Sequence, residues 1–564
     1  MLWHIGKKCS AKTGLAIRFG PSYLCGMAFI RVDKKGDGEY LRIVETKRDG
    51  SRVVQQTLYS LGRSSDYTPE MLRRMGEKLY ALGGGDPREL LAGRLREEGR
   101  YNYGYAQLVR RLLQAYGLDK LLGRAQERHH VQFDLANAVA LMLVERLHEP
   151  SSKHRNYHNQ GEYVGLKGVE LQHIYRSLNY LAAESERIQK RIWEKNRHLF
   201  NASLDIVFYD VTTFYFDSEV EIEGALRQKG FGKDGKIGQT QVVFGLLIDK
   251  EKNPVGYRLY KGDTWEGQTI RDAISTLRKD YAVDKVVVVA DRGMLSKENR
   301  EWIEQENGYE FILGERLRKL PAPVQQHLLK LDNYTQAWKT DENDEKATVR
   351  YCSLELEGRT VIGTHSKKRA EKDRHEREEK LLKAQKLLQK PDNIERKARQ
   401  YFLQKDGKAI WSLDEEKIKQ SERFDGFLAI TTSSATLTPE QALDHYRNLF
   451  TIEHTFRSFK THLETRPMFH WTDKRIEGHI CLCYMAYALL NHCLLKINRK
   501  NHKYSENDLR RCLDKMQVSM VIEGKREFYL RAKHEAAMAD IAERLGLPAL
   551  PNLIPKKLID NYLY

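Results

Sequence analysis

"VVVVADRGML", residues 286 to 295, sets four valines and an alanine before an aspartate and an Arg-Gly pair. Such a run fits a strand buried on both faces. Alone, an aspartate after it would be read as a helix cap or a turn residue. Asp291 gains weight from an upstream strand, "SLDIVFYD" (203–210), which also ends on an acid, Asp210. An open α/β sheet gathers its ligands at the carboxyl ends of its strands. The two carboxylates are therefore expected to meet.

The segments around these two strands give their order. "QTQVVFGLLID" (239–249) and "NPVGYRLYKG" (253–262) read as a hairpin closed by a turn at Lys250–Asn253. Then come a helical stretch, "WEGQTIRDAISTLRKDY" (265–281), the valine strand, a helix, "SKENREWIEQEN" (296–307), and a strand, "YEFILG" (309–314). Three strands, helix, strand, helix, strand gives an antiparallel start and a parallel continuation, each parallel step crossing over through a helix.

Upstream, "YLRIVETKRDGSRVVQQTLYSLGR" (40–63) reads as two alternating strands joined at Arg-Asp-Gly, so residues 1–69 form a small β-containing segment. Residues 70–200 are expected to be helical, from the spacing in "YAQLVRRLLQAYGLDKLL", "FDLANAVALMLVERL" and "LQHIYRSLNYLAAESERIQKRIW". Arg110, Arg111, Arg176 and Lys190 suit either a DNA-binding helical region or solvated helix faces. Residues 201–319 hold the first part of the sheet. Residues 320–424 read as an insertion, with a hairpin in "TVRYCSLELEGRTVIGTH" and a charged helix from Ser366 that fits an exposed arm or a coiled coil. Residues 425–500 resume the core with a strand, "FDGFLAITTS", and one or two helices opening at Thr438-Pro439. The region 501–564 is polar and expected to be helical.

Composition narrows the partners. At 564 residues, with 41% apolar and 10% aromatic content, the chain is long enough for several folded domains and too apolar for general disorder. Lys plus Arg outnumber Asp plus Glu by 95 to 78, and the resulting +17 points to a polyanion, nucleic acid before membrane. Binding that weakens steeply with salt is expected. Seven cysteines without paired spacing make no disulfide framework, and Cys481-Leu-Cys483 is too tight for a zinc knuckle. A reducing cytoplasm is expected. The opening "MLWHIGKKCSAKTG" lacks a signal peptide's apolar core, and "LANAVALMLVERL" is too short to span a bilayer. "GFGKDGK" carries Gly230, Gly232 and Gly235 in dinucleotide spacing, but it precedes a strand instead of following one. No His-Glu-x-x-His pair supports a zinc hydrolase.

Two carboxylates held together repel unless a cation sits between them, and open oxygen ligands suit Mg²⁺ or Mn²⁺, with two ions able to clamp attacking and leaving oxygens. The third ligand is sought in "DHYRNLFTIEHTFRSFKTHLE". At about 100° per residue, Leu449, Ile452, Phe456, Phe459 and Leu463 form an apolar stripe, with Tyr446, Glu453, Arg457 and Lys460 beside it. The alternative is an exposed face stitched by the Glu453–Arg457 spacing. Asp444 and Glu464 are the competing acids. Glu464 projects to nearly the same face roughly 16 Å further along at 1.5 Å per residue.

At these residues the sequence resembles the DDE transposases of bacterial insertion sequences. The resemblance rests on "YDVTTFYF" at Asp210, "GDTWEGQT", "ADRGM" at Asp291, and "Y…IEHTFRSFK" with Tyr446, Glu453 and Lys460. It is to the branch with a β-rich insertion and a Tyr-Arg-Glu-Lys signature, and it covers most of the chain. It implies an RNase H-like α/β mixed sheet flanked by helices and interrupted by an insertion domain. It also implies catalytic, metal-binding Asp210, Asp291 and Glu453 holding two ions, DNA contacts from Tyr446, Arg457 and Lys460, and cleavage and joining of double-stranded DNA at element ends and target. A homodimer on DNA and a nucleoid location in a bacterial cytoplasm go with it. The signature's arginine position is occupied by Leu449, which leaves Arg447 or Arg457 to take its place. Trp338 or Trp411 in the insertion is a candidate brace for a displaced base. The alternatives are a metal-dependent nuclease without strand transfer and a DNA-binding regulator derived from a transposase.

Overall fold

The computed structural model describes residues 27–49, 52–86, 95–200, 205–230, 239–281, 286–291, 294, 296–305, 309–339, 348–389, 403–406, 410–499, 504–523 and 526–563. The chain divides into two compact units, residues 1–97 with 521–526 and residues 98–520 with 527–564. In the first, β1 (Met27–Lys35), β2 (Gly38–Asp49) and β3 (Arg52–Arg63) form an antiparallel meander. β2 and β3 are the expected hairpin, with Asp49 opposite Arg52; Gly50 lies outside the described residues. Helix α1 (Pro69–Leu82) follows, its first turn capped by the Thr68 hydroxyl, which accepts from the Met71 amide. The opening residues 1–14 lie outside the described residues.

The stretch expected to be helical, residues 70–200, holds a strand after α1, β4 (Leu95–Asn102), whose sequence LREEGRYN has no apolar alternation to announce it. Six helices follow, five of them contributing buried residues to the large core: α2 (Gly104–Tyr116), α3 (Leu118–Arg128), α4 (Leu135–His148), α5 (Lys153–Asn159), α6 (Leu171–Ala183) and α7 (Ser185–Phe200). Helix α4 is buried from Ala138 to Leu147, as a helix apolar all round must be.

The strand–helix alternation builds the sheet as the sequence implied. β5 (Ile206–Tyr215), β6 (Gln228–Lys229), β7 (Thr240–Ile248) and β8 (Pro254–Lys261) are followed by α8 (Glu266–Tyr281), β9 (Val286–Ala290), α9 (Lys297–Gln305) and β10 (Tyr309–Glu315). The spatial order β10-β9-β5-β7-β8 has β7 antiparallel to β5 and β8, and β9 and β10 parallel to β5. That is an RNase H-like core. One face, with Val207, Tyr209, Val288 and Phe311, packs with Ile270, Ile274 and Ile303 of α8 and α9. The other, with Phe208, Phe214 and Val289, joins the large helical core.

Beyond β10 the chain extends this same sheet. β11 (Gln336–Lys339), β12 (Thr348–Leu356) and β13 (Arg359–His365) lead to α10 (Lys367–Leu388), the separate pair β14 (Leu403–Asp406) and β15 (Ile410–Leu413), and β16 (Phe427–Thr432). Their order β11-β12-β13-β16-β10 makes one ten-stranded sheet with the core. The β12–β13 hairpin turns at Glu357 and Gly358, with φ 53° and 75°, the left-handed pair that matches strand twist. The charged α10 is tied to the fold by its buried Arg377, which pairs with Asp425 just before β16.

Two helices, α11 (Pro439–Arg447) and α12 (Phe450–Arg457), precede α13 (Asp473–Ile497). Long and apolar enough to cross a membrane by length and composition alone, α13 is mostly buried in the fold. Among the described residues the longest apolar helix is thus α13 and not the 135–147 stretch singled out from sequence. The last region, expected to be helical, has α14 (Glu506–Lys515) and α15 (Ala536–Leu545) but also β17 (Gln517–Glu523), where Val518, Met520 and Ile522 alternate, and β18 (Arg526–Arg531).

Helix α13 lies so close to α6 that a Cβ on Gly478 would sit 1.9 Å from the Leu178 carbonyl oxygen. Backbone cannot yield as a side chain can, so Gly478→Ala must separate the two helices. A loss of about 3 kcal/mol in chemical denaturation is expected, the upper end of ordinary overpacking; a loss under about 0.5 kcal/mol, the range of an inert surface change, would show that the helices slide apart freely.

The β7–β8 turn is pinned by Asp249, 1% exposed. Its Oδ1 accepts from the amides of Glu251 and Asn253 at 2.8 Å each, and its Oδ2 from Asn253 Nδ2 at 2.9 Å. Burial nevertheless pushes its pKa up to about 6, the three hydrogen bonds offsetting only part of that cost. A carboxyl that holds its proton more tightly folded than unfolded costs stability above about pH 6, and the cost fades as pH falls toward about 4. Between pH 7.5 and 5.0 the native chain should gain on Asp249→Asn by about 1 kcal/mol in denaturant midpoints. An unchanged gap would place Asp249 in water in the folded state.

Candidate active site

Asp210 shares its side of β5 with Phe208 and Phe214, so it faces the side covered by α12 and α13. It does not end its strand, as the sequence reading had it. The β-branched and aromatic run "VTTFY" carries β5 on to Tyr215, paired with β7 throughout. What ends there is β9. The last parallel pair is Tyr209 with Ala290, so Asp210 and Asp291 follow side by side where the two strands part. Asp291 is exposed and Asp210 half-buried, its Oδ1 accepting from the Val211 amide at 2.7 Å.

The helices opposite begin at Thr438, whose hydroxyl accepts from the Gln441 amide while Gln441 Oε1 accepts from the Thr438 amide. They break at Asn448–Leu449, and a π turn over Ser458–His462 ends the second. The stripe Leu449, Ile452, Phe456, Phe459 and Leu463 is buried throughout. Each of its large members is worth about 1.5–3 kcal/mol of burial, enough to fix which way Glu453 points. A buried polar chain fixes the helix along its length: Thr455 Oγ1 lies 2.9 Å from the Tyr487 hydroxyl of α13, which donates to the Lys252 carbonyl in the β7–β8 turn. Asn491 Nδ2 of α13 donates to Asn253 Oδ1 in that same turn at 3.1 Å.

Asp210, Asp291 and Glu453 line one open cavity of about 790 Å³, together with Tyr446, Arg457 and Lys460. All six residues named from the sequence are thus brought together. Arg447 and Leu449 line it as well, Leu449 turned inward at the helix break. Sequence reasoning missed Arg466, which also lines the cavity and stacks over Tyr215, 5.3 Å from the ring. It lies past the helix, where periodicity has no reach. Of the two tryptophans, Trp338 is buried at the cavity, donating to Asp444 Oδ1 at 2.9 Å with Arg447 over its ring at 5.3 Å. Trp411 packs elsewhere, with Ala384 and Leu403. Asp444 is occupied by Trp338 and by Arg447 at 3.5 Å.

Glu464 does not continue the face of Glu453, as helical spacing alone implied. The helix has ended, Glu464 has φ 39°, and it lines a different cavity. Of the glycine cluster, Gly230 packs against the Gly262 carbonyl, where a Cβ would stand 2.0 Å away, while Gly232 and Gly235 lie outside the described residues. Cys481 and Cys483 are buried free thiols, Cys481 pushed up to about 12 by burial.

Among the described residues no three His, Cys, Asp or Glu side chains are placed to hold one metal ion. The donor set nonetheless suits a hard cation: carboxylates alone, in an open cavity, match Mg²⁺, which keeps several waters and takes one or two protein carboxylates. Arginines and a lysine on the same wall supply the positive surface that a polyanion needs.

The site is thus an RNase H-like sheet with neighbouring aspartates where two parallel strands part, and a glutamate and cations from a helix on the same cavity. The family described as "Transposase DDE domain" matches residues 201–489, just over half of the chain, and the chain belongs to that family. Among solved structures it is similar to the piggyBac transposase in a synaptic complex with hairpin DNA, at 8% identity and TM-score 0.34, over 76% of this chain and 75% of that one. It is also similar to the Mos1 transposase in a paired-end complex with the left transposon end, at 11% identity and TM-score 0.14, over 31% of this chain and 57% of that one. No curated protein sequence matches.

Proposed function

We propose that this chain is a transposase that binds the ends of an insertion sequence and carries out metal-dependent cleavage and strand transfer. The observation that carries the reading is the placement of Asp210 and Asp291 side by side, with Glu453 on the same cavity. In this reading the three carboxylates hold Mg²⁺ or Mn²⁺, two ions in the working complex. When bound, the metal polarises a phosphodiester and activates a water or a 3′ hydroxyl. The chain's own residues position the DNA: Tyr446, Arg457 and Lys460 hold the cleaved end, with Arg447 or Arg457 standing in for the arginine that Leu449 replaces. Phosphate contacts of this kind set register and do not read sequence. Two copies acting together on a pair of ends, in the cytoplasm at the nucleoid, complete the proposal.

The test is to incubate purified protein and Mg²⁺ with DNA carrying the element's ends and to map the products. Joined strands support transposition. Nicked but never joined ends would replace it with a nuclease, and binding without any cut would replace it with a regulator.

A further inference from the structure

We propose that a second, smaller cavity beside the first is a binding pocket for a single phosphate of the DNA strand leading away from the carboxylates; the DNA source rests on the function proposed above. The cavity, about 230 Å³, is lined by Arg146, Lys153, Tyr175, Arg466, His470 and His479 among others. Arg466 lines both cavities, so the two adjoin.

What marks the smaller cavity as built for an anion is Lys153. It is 4% exposed, and its Nζ has no hydrogen-bond partner among the described residues. A buried ammonium without a partner is costly. Arg146, also 4% exposed, is held beside it by donating Nη1 to the carbonyls of Leu463 at 2.9 Å and Glu464 at 3.3 Å. His470 and His479 complete the wall with ring centroids 5.0 Å apart. Arg475 stands over Tyr175 at 5.4 Å. The neighbouring acid Glu145 is already committed: it accepts from Ser151, Asn156, Asn159 and Tyr163. Glu464 lines the cavity too, but accepts no hydrogen bond from the lysine. The lysine is held well below its usual range, by burial first and then by Arg146. His470 is pushed down to about 3, by burial and then by Lys153, Arg146 and Arg475. Arg146 and Arg475 keep their charge beside these groups, so one anion would favour the charged form of Lys153, and a phosphate supplies the acceptors that Lys153 lacks. Phe469, 66% exposed at the mouth, offers a face to the base that the phosphate carries.

Lys153→Met tests the pocket, with Lys153→Gln in reserve should the methionine variant not fold. Inorganic phosphate should raise the melting temperature of the native chain and leave that of the variant unmoved. In duplex binding, the slope of log affinity against log salt should fall by about 0.9 in the variant, the amount that one phosphate neutralised by one cation adds to it. Equal phosphate shifts in both proteins would overturn the pocket, and an unchanged salt slope would overturn its use for a phosphate of DNA. A phosphate shift confined to the native chain, with no duplex binding by either protein, would keep the pocket as an anion site and overturn the DNA reading instead.

Discussion

Asp210→Ala and Asp291→Ala are each expected to cut DNA cleavage by roughly a thousandfold or more, about 4 kcal/mol of transition-state stabilisation. End binding should stay within a few fold. The two aspartates sit where β9 leaves β5, one half-buried and one exposed. Neither is a packing residue, so the alanine variants should fold. The cations Arg447, Arg457, Lys460 and Arg466 are spread over the same cavity, and binding through many phosphates does not depend on one carboxylate. Gel-shift and cleavage assays on the same preparations separate the two effects, and near-native cleavage by either variant would remove the assignment.

The second large effect is expected at Glu453 and not at its neighbours. Glu453→Gln keeps the size and the helix but loses the charge that a hard cation needs, so Mg²⁺-dependent cleavage should fall by two orders of magnitude or more, about 3 kcal/mol. Glu464→Gln should cleave within a few fold of native, because Glu464 lies past the helix end on the smaller cavity. Asp444 is engaged with Trp338 and Arg447, so Asp444→Asn should loosen α11 without abolishing cleavage. A dead Glu464→Gln beside an active Glu453→Gln would mean that the helix docks in another register, and the placements of Tyr446 and Lys460 would fall with it.

Much of this was legible in the sequence because it rests on periodicity. Four valines, the 239–262 hairpin and the stripe from Leu449 to Leu463 each have one way to bury their apolar atoms, and the sheet order follows. Where periodicity is silent the reading failed. Nothing in "SLDIVFYD" says whether the strand stops at its aspartate, and the pairing of β5 with β7 decides it. A helical wheel does not know that the helix ends, so it carried Glu464 onto a face that does not exist. Arg466 and Lys153 belong to no pattern along the chain, and only folding brings them to the same walls as the helix.

The ten-stranded sheet has a consequence for shortening this protein. β16 lies against β10, and β13 against β16, so β11, β12, β13 and β16 are neighbours in one hydrogen-bonded surface. Excising them would strip β10 of its partner and leave a row of unmet amide and carbonyl groups beside an apolar face, an open invitation to intermolecular strand pairing. A minimal catalytic fragment of this chain is therefore a recipe for aggregation unless β16 is retained to close that edge.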